Sequence, residues 1–322
     1  MTHHTHSPIA FLFPGQGSQS VGMGKDLAAL YPVAQETFDE ADASLGFKLS
    51  QLCWEGPEEE LKMTEITQPA ILTTSVAAWR VLQSKGITPQ YVAGHSLGEY
   101  SAHVAAGTLE FKDAVRAVNK RGKYMQEAVP AGVGAMAAIL MLPADEVRKV
   151  CEEAAHGQVC QPANLNSPSQ TVISGNKAAV ERAADLAKKR GAKRAVMLPV
   201  SAPFHCALMQ PAQDRLGADL QALNFRNPEI PVLCNVDVEL VTTADTARHT
   251  LTCQVTGTVQ WNPSMRKLIA LGVRTFVEVG PGAVLSGLMR QIDKSQTCFN
   301  VEDEDSLQKA MNGLLTNAGQ EG

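Results

Sequence analysis

The chain has little of what several large classes of protein require. Its 28 lysine and arginine residues are outnumbered by 33 aspartate and glutamate residues, which gives a formal net charge of −5. Nucleic-acid-binding proteins usually carry a basic excess, so we exclude that class. The apolar runs, such as residues 135–142, are far shorter than the ~20 residues needed to span a bilayer, and no basic segment with a secretory apolar core opens the chain. These absences predict a cytoplasmic protein without membrane contact.

Cysteine pairs and metal-ligand clusters are also missing. The seven cysteines are scattered, odd in number and without a Cys-x-x-Cys pair, which indicates reduced, mostly buried thiols. His3, His4 and His6 lie in a short polar leader with no second group of ligands behind them, so we expect no metal site. What is present is an ordinary globular composition, 44% hydrophobic and 19% charged over 322 residues. That balance allows a sizeable core.

One stretch carries the clearest chemistry, Gly94-His95-Ser96-Leu97-Gly98. It places Gly-x-Ser-x-Gly between a short apolar run, 91–93, and a helical pattern that ends before Gly107. This is the pattern of a nucleophile elbow, in which a serine on a sharp strand-to-helix turn exposes its hydroxyl. The bare pentapeptide also suits an ordinary strand-to-helix loop. Its context favours Ser96 as a nucleophile.

A glycine-rich loop follows the first predicted strand, 9–13. It contains Pro14-Gly15-Gln16-Gly17 and exposes backbone N–H groups. No Gly-Lys-Ser/Thr follows, so a phosphate-binding loop is excluded. Binding of an anion or an oxyanion remains open.

Arg121 is placed unusually for a charged residue. In the helix predicted after Asp113, it continues a stripe formed by Ala114, Val118 and Met125 at steps of three and four residues. A guanidinium facing the core needs an anion. A structural ion pair, a clamp on carbonyl groups and a ligand-binding cation are all compatible with this spacing.

A change of pattern between residues 132 and 200 predicts a separate small unit. Its elements are a strand over 134–140, a helix over 144–155, strands over 159–165 and 171–174, a helix over 177–190 and a strand over 194–200. This βαββαβ order is ferredoxin-like. Its basic cluster is most simply a solvated face, and alternatively a docking patch for an acidic partner; the cluster comprises Lys188, Lys189, Arg190, Lys193 and Arg194.

Several of these segments together resemble the family of malonyl-coenzyme A:acyl carrier protein transacylases and polyketide synthase acyltransferase domains. The resemblance runs from Phe13-Pro14-Gly15-Gln16-Gly17 through Gly-His-Ser-Leu-Gly-Glu-Tyr to Glu278-Val279-Gly280-Pro281-Gly282. It implies an α/β-hydrolase-like large subdomain with a parallel sheet, residues 7–130 and 201–315. The ferredoxin-like subdomain, residues 131–200, is inserted into it. We recognise no second catalytic or carrier module, which favours the discrete bacterial type.

The resemblance also implies roles for single residues. His205, in Ala-Pro-Phe-His-Cys, corresponds to the catalytic histidine. The neighbouring His95 should point away from the Ser96 hydroxyl, since consecutive side chains at a strand end face opposite sides. The N–H groups of Gln16 and Leu97 would form the oxyanion hole, and Arg121 would bind the substrate carboxylate.

Further residues are implied to line or orient the site. These are Gln68, Met125, Phe204 and Gln254, whose backbone carbonyl would orient the histidine. Gln68 is otherwise explained as a helix-start residue before Pro69. After Gln254 this chain has Thr256-Gly257-Thr258, where relatives often have Asn-Pro-Val, which makes the local geometry less secure. Phe204 lies where related enzymes vary with the acyl group.

The implied reaction is transfer of malonate from malonyl-coenzyme A to the phosphopantetheine thiol of acyl carrier protein, through a malonyl-serine ester, for fatty acid biosynthesis. Coenzyme A is part of a substrate in this reaction, and no metal or redox cofactor is expected. We expect the protein to be a monomer. A serine hydrolase shares the elbow, but the acids between serine and histidine, Asp113, Asp145 and Asp185, lie in helical patterns. A non-catalytic docking module with the same fold is the third possibility.

Overall fold

The chain folds around two β-sheets, one parallel and one antiparallel, with a cleft between them. The computed structural model describes residues 7–200 and 202–320, the last five by backbone alone. His3, His4 and His6, and Ser201 at the predicted boundary between the subdomains, lie outside the described residues.

The described residues form ten strands and fourteen α-helices. The strands are β1 (Ile9–Phe13), β2 (Tyr91–Gly94), β3 (Gly134–Leu140), β4 (Cys160–Ser167), β5 (Gln170–Asn176), β6 (Arg194–Met197), β7 (Val232–Leu233), β8 (Leu240–Val241), β9 (Thr275–Val279) and β10 (Thr297–Val301). The helices are α1 (Lys25–Leu30), α2 (Pro32–Leu45), α3 (Leu49–Glu55), α4 (Glu58–Leu61), α5 (Thr64–Ser84), α6 (Gly98–Ala105), α7 (Phe111–Glu127), α8 (Ala144–Ala155), α9 (Lys177–Lys189), α10 (Gln210–Gln221), α11 (Ala244–Cys253), α12 (Trp261–Ala270), α13 (Val284–Ile292) and α14 (Glu304–Gln320).

The larger sheet has the strand order β10-β9-β1-β2-β7-β8 and is parallel except for the antiparallel pair β7–β8. Its central strand β1 is buried on both faces. Phe11 and Phe13 belong to the largest core cluster, and Ala10 and Leu12 to a cluster on the opposite face. A continuous apolar run such as Ile9–Phe13 is what a parallel strand covered by helices on both sides requires.

The smaller sheet has the order β4-β5-β3-β6 and is antiparallel throughout. With helices α8 and α9 it is the βαββαβ unit predicted from the sequence. Ala137 and Ile139 of β3 pack under these helices, whereas Met136 and Ala138 face the core of the large sheet. Hydrogen bonds between Val259 and the Ala163–Leu165 segment of β4 tie the two sheets together. The subdomain boundaries given above remain a prediction.

Helix α5 corrects the expectation that Gln68 starts a helix. The helix begins four residues earlier, at Thr64, and Pro69 lies inside it. Proline has no N–H to donate to the carbonyl of Glu65. The side chain of Asn119 on α7 donates to that carbonyl instead, at 2.8 Å. Tertiary contact thus satisfies the carbonyl that the proline leaves free, and the helix continues past it.

Other boundaries also differ from the sequence expectation. Helix α7 begins at Phe111, so Asp113 is its third residue and not its cap; a carboxylate there still favours the helix dipole. Gln254 follows α11 as its C-cap. Strand β6 ends at Met197, three residues early, because Pro199 cannot donate to a sheet ladder. The three residues released from the strand, 198–200, line the cleft.

Within the described part of the chain, no helix combines the length and apolar character that a bilayer crossing would need.

Candidate active site

A cavity of about 570 Å³ lies in the cleft between the two sheets. It is lined by the loop after β1, the turn after β2, parts of α5, α7 and α13, the inner face of the small sheet and the segment after β6. Eight of the nine residues predicted to form the site line it: Gln16, Gln68, Ser96, Leu97, Arg121, Met125, Phe204 and His205. The ninth, Gln254, is buried directly behind them.

Ser96 lies on the turn that the Gly-x-Ser-x-Gly motif predicts. Its φ of 52° is in the left-handed region, which is uncommon for a residue with a side chain. A Cβ on Gly94 would lie 1.9 Å from the carbonyl of Gly98, and a Cβ on Gly98 would lie 2.0 Å from the Phe13 carbonyl oxygen. Both glycines are therefore required where β1, β2 and α6 converge. The result is a serine hydroxyl presented to the cavity.

His205 is within hydrogen-bonding distance of the nucleophile candidate. Its Nε2 lies 2.6 Å from Ser96 Oγ, and its Nδ1 lies 2.9 Å from the backbone oxygen of Gln254. That oxygen can only accept, so Nδ1 carries the proton and Nε2 is free to accept from the serine. Burial, and next the charge of Arg121, lowers the pKa of His205 to about 3. A neutral imidazole with a free nitrogen is the form that a general base needs.

The partner that orients His205 distinguishes this site from a Ser-His-Asp triad. The acceptor at Nδ1 is the Gln254 carbonyl, not a carboxylate. In the Thr256-Gly257-Thr258 segment that follows Gln254, the Thr258 hydroxyl donates to the Pro162 carbonyl at 2.8 Å, and His205 Nδ1 still meets the Gln254 carbonyl. The departure from Asn-Pro-Val therefore leaves the predicted contact intact.

Arg121 is almost fully buried, as its position on the apolar stripe predicts. Its Nη1 donates to Gln68 Oε1 at 2.8 Å, and its Nη2 donates to Gln254 Oε1 at 2.9 Å and to Ser96 Oγ at 3.1 Å. Among the described residues, none of these direct partners is a carboxylate, so the structural ion pair is not observed. Its Nε is also buried, and no described residue accepts a hydrogen bond from it.

Three of the predicted lining residues, Gln68, Met125 and Phe204, belong to this corner. Gln68 holds the guanidinium from α5, and its Nε2 lies 3.8 Å from Met125 Sδ on α7. Phe204 lies next to His205 and is buried against the largest core cluster. Together these residues make the wall beside Ser96 apolar apart from the amide that meets Arg121.

The predicted oxyanion-hole residues flank the turn. Gln16 is in the loop after β1, and Leu97 is the N-cap residue of α6. A Cβ on Gly15 would approach the His95 carbonyl oxygen to 2.4 Å, which shows how closely the first loop packs on the elbow. Gln16, the residue after Gly15, lines the same cavity as Ser96 and Leu97.

His95 is directed away from the Ser96 hydroxyl, as predicted. Its Nε2 lies 2.8 Å from Asn166 Oδ1, and Asn166 Nδ2 donates to Gln170 Oε1 at 2.9 Å. The ring packs 5.4 Å from that of Trp261, and burial lowers the pKa of His95. The competing histidine is therefore hydrogen-bonded to strand β4 of the small sheet.

Two polar residues of the site were missed by the sequence analysis. Asn235, after β7, accepts from the Ser96 N–H at 2.7 Å and donates to the Gly94 carbonyl at 2.7 Å, which clamps the elbow. Glu99, in the first turn of α6, is fully buried and accepts from Gln254 Nε2 at 2.7 Å. A carboxylate three residues after the serine, among small apolar residues, was a signal for Glu99. Nothing near Asn235 in the sequence marks it.

The structure divides the predicted basic cluster. Lys188 pairs with Asp185 at 3.3 Å, and Arg190 pairs with Glu153 and, at 3.8 Å, with Glu146. Within residues 7–200 and 202–320, Lys189, Lys193 and Arg194 are exposed and make no ion pair. Lys189 ends α9, and Lys193 and Arg194 are at the start of the edge strand β6, whose other end leads to the cavity lining at Leu198.

Comparison with known proteins agrees with this geometry. The family model described as acyl transferase domain matches residues 10–313. The malonyl CoA-acyl carrier protein transacylase of Escherichia coli (strain K12) is 53% identical over 304 residues, covering 94% of this chain and 98% of the relative. That of Bacillus subtilis (strain 168) is 50% identical over 309 residues, covering 96% and 98%.

Solved structures give the same result. An acyl carrier protein S-malonyltransferase from Vibrio cholerae superposes with a TM-score of 0.93 at 50% identity, covering 94% of this chain and 100% of that one. A malonyl-transacylase in complex with its type II PKS acyl-carrier protein superposes with a TM-score of 0.93 at 49% identity, covering 95% and 100%. With a Ser-His pair on an elbow, a buried arginine beside it and these full-length matches, the chain belongs to the acyl transferase family that includes the bacterial malonyl CoA-acyl carrier protein transacylases.

Proposed function

We propose that this protein transfers the malonyl group of malonyl-coenzyme A to the phosphopantetheine thiol of acyl carrier protein, in fatty acid biosynthesis, through an ester on Ser96. The observation that carries the proposal is the pair of contacts made by Ser96 Oγ, to His205 Nε2 at 2.6 Å and to Arg121 Nη2 at 3.1 Å. The contact with His205 activates the hydroxyl. The other offers a cation for an acyl group that carries its own carboxylate, as the names of the relatives indicate.

In the first half-reaction, His205 Nε2 takes the Ser96 proton while Oγ attacks the thioester carbonyl. The backbone N–H groups of Gln16 and Leu97 stabilise the oxyanion. The C–S bond then breaks, and coenzyme A leaves as the thiol with the proton from His205. A malonyl ester on Ser96 remains.

In the second half-reaction, the thiol of the carrier protein gives its proton to His205 and attacks the ester carbonyl. The same two N–H groups stabilise the second oxyanion. The C–O bond breaks, Ser96 Oγ regains the proton, and malonyl-carrier protein leaves. This ping-pong sequence needs a nucleophile, a base and an oxyanion hole, and no metal or redox cofactor takes part in it.

Arg121 supplies the selectivity for a dicarboxylic acyl group. A carboxylate that enters a buried site loses its hydration and must be paired. The guanidinium next to Ser96 Oγ can pair with it through charge-assisted hydrogen bonds. Gln68 and Gln254 hold the guanidinium in position for this.

The carrier protein would approach along β6. At ~3.3 Å per strand residue, Arg194 is about 13 Å and Lys193 about 17 Å along the chain from Leu198 at the cavity. Between them lie the exposed side chains of Val196 and Met197, at 47% and 41% exposure. Three unpaired cations beside an apolar edge suit an acidic partner, and a relative has been solved with its acyl-carrier protein. Lys188 and Arg190, which are paired within the chain, would contribute less.

The setting of the enzyme is part of the proposal. All seven cysteines are free, and five of them are buried, which suits the reducing environment of the cytoplasm. We expect a monomer, since the cavity is formed by residues of one chain. Light scattering measures this directly.

The test is intact-mass analysis after incubation with malonyl-coenzyme A. We expect the wild-type mass to rise by one malonyl group, the added mass to be lost on addition of holo carrier protein, and no adduct in Ser96→Ala. Rapid loss of the adduct to water without a carrier would instead indicate a serine hydrolase. A wild-type protein that never acquires the adduct would indicate a docking module.

A further inference from the structure

A buried carboxylate that the proposed mechanism does not use lies behind the site. Glu99 has no solvent exposure, and its Oε2 accepts from Gln254 Nε2 at 2.7 Å and from the Asn235 N–H at 3.1 Å. Its Oε1 is buried without a hydrogen-bond partner among the described residues. A carboxylate held this way has lost much of its hydration, which is costly unless a positive charge is near.

Gln254 connects Glu99 to the reacting groups. Its Nε2 donates to Glu99 and to the backbone oxygen of Ser96, at 2.9 Å, so its Oε1 must face the other way. There it accepts from Arg121 Nη2 at 2.9 Å. The ionised carboxylate therefore fixes the direction of the amide, and the amide fixes the guanidinium.

The charges of Glu99 and Arg121 also support each other. Burial raises the pKa of Glu99 and lowers the pKa of Arg121, and the opposite charge of each residue counteracts the shift in the other. Because the direct partners of Arg121 are neutral oxygens, Glu99 is the carboxylate that balances the charge of Arg121 within the chain. A malonyl carboxylate on Arg121 would bring a second negative charge to this cation.

We propose that Glu99 is a positioning residue that holds Arg121 through Gln254 before substrate binds, and that it takes up a proton from solvent when the acyl carboxylate binds Arg121. The inference rests on the proposed function. Burial raises the pKa of Glu99 to about 7, so a modest further rise changes its charge near neutral pH. A glutamate carboxylate in water would stay ionised at neutral pH.

Other groups around Glu99 shape this equilibrium. Asp237, after β7, raises the pKa of Glu99, in the direction opposite to Arg121 on α7. The thiol of Cys234 and the phenol of Tyr100 also lie within its field, and burial raises the pKa of each. Both stay neutral near pH 7. The exchange of charge is therefore between Glu99, Arg121 and the incoming carboxylate.

The proposal predicts a pH dependence specific to malonate. In the wild type, the ratio of kcat/KM for malonyl-coenzyme A to that for acetyl-coenzyme A should fall as pH rises above about 7, by up to about tenfold per pH unit, because binding then requires a proton. His205 and the coenzyme A phosphates act on both substrates and cancel in the ratio. Glu99→Gln keeps an acceptor for Gln254 without a charge, and should make the ratio independent of pH.

A matched control is available in Glu278→Gln. Glu278 is also fully buried, burial also raises its pKa to about 7, and it accepts from the N–H groups of Leu285 and Ser286, away from Arg121. This variant should keep the wild-type slope of the ratio. A slope that survives in Glu99→Gln, or that disappears in Glu278→Gln, would overturn the proposal.

Calorimetry tests the same exchange without turnover. Titration of Ser96→Ala with malonyl-coenzyme A, near pH 7.5 in buffers of different ionisation enthalpy, should show proton uptake. Acetyl-coenzyme A should show none. An absence of uptake with malonyl-coenzyme A would refute the proposal even if Glu99→Gln failed to fold. Failure of the proposed function is a separate result, because wild type would then form no malonyl adduct.

Discussion

Arg121 Nη2 donates to Ser96 Oγ at 3.1 Å, so a buried cation is in direct contact with the nucleophile candidate. The cation also lowers the pKa of His205, which keeps the base neutral. An acyl group on Oγ with a carboxylate two bonds beyond its carbonyl would place that charge beside the same guanidinium. The proposed selectivity for the acyl group and the activation of the hydroxyl therefore both depend on contacts made by Ser96 Oγ.

Replacing Arg121 should separate these two effects. In Arg121→Ala, malonyl transfer should fall about 10²- to 10³-fold, since stranding one partner of a buried pair costs ~3–5 kcal/mol at ~1.4 kcal/mol per decade. Acetyl transfer has no carboxylate to strand and should be unchanged or faster. The measurement is kcat/KM for both thioesters. Arg121→Lys should restore only part of the malonyl transfer that Arg121→Ala loses, because lysine offers a point charge in place of the planar guanidinium. Parallel losses for both substrates would make Arg121 structural.

The pH dependence of loading should reveal the buried base. Because burial lowers the pKa of His205 to about 3, acetyl loading should hold its rate from about pH 8 down to about pH 5.5, below the ordinary histidine value of ~6.5. His205→Ala should be slower by about 10²- to 10⁴-fold throughout. Rapid-quench mass analysis measures both. A rate that halves near pH 6.5 would contradict the assignment.

The same pKa shift sets the sign of a stability effect, which serves as a control. The unfolded chain binds a proton at His205 below about pH 6.5, whereas the folded chain does not. Its contribution to the free energy of unfolding therefore decreases as pH falls through this range. Melting curves at each pH show where loss of rate reflects unfolding.

Charge reversal on β6 should affect one half-reaction only. Lys193→Glu with Arg194→Glu should raise KM for the carrier protein about 5- to 30-fold, from ~1–2 kcal/mol for two reversed charges at an interface rim. It should also weaken the dependence of this KM on salt. Loading from malonyl-coenzyme A should be unchanged. Lys112→Glu with Lys123→Glu, two exposed lysines on α7, is the matched control. If both double variants raise KM equally, the β6 cations are not a docking site.

The elbow should tolerate no side chain at Gly98. A Cβ there would lie 2.0 Å from the backbone oxygen of Phe13, and the strand cannot move without disturbing the sheet. Overpacking costs ~1–3 kcal/mol even against side chains, so Gly98→Ala should lower Tm and abolish loading. In Gly287→Ala, where nothing lies within 4 Å of the new atom, a mid-helix alanine should add ~0.5–1 kcal/mol. An unchanged Tm in Gly98→Ala would refute the close approach.

Local sequence determined the parts of this protein that depend on neighbouring residues. The strand Gly134–Leu140 and the helix Ala144–Ala155 have the predicted bounds, because the apolar periodicity and the residues that end each element lie within or next to the segment. The turn at Ser96 was fixed by its two glycines. The inward direction of Arg121 followed from helical spacing alone. The partners of Arg121 did not, since Gln68 and Gln254 are 53 and 133 residues away.

Tertiary structure decided whatever depends on groups distant in the chain. Helix α5 runs through Pro69 because Asn119, on another helix, supplies the missing donor. Asn235 clamps Ser96 across 139 residues, and Glu99 is a counter-charge only because folding buries it behind Gln254. Short-range sterics and periodicity can be read from a sequence. A buried polar group takes its function from the partners that the fold brings to it, and those are set by the packing of the whole chain.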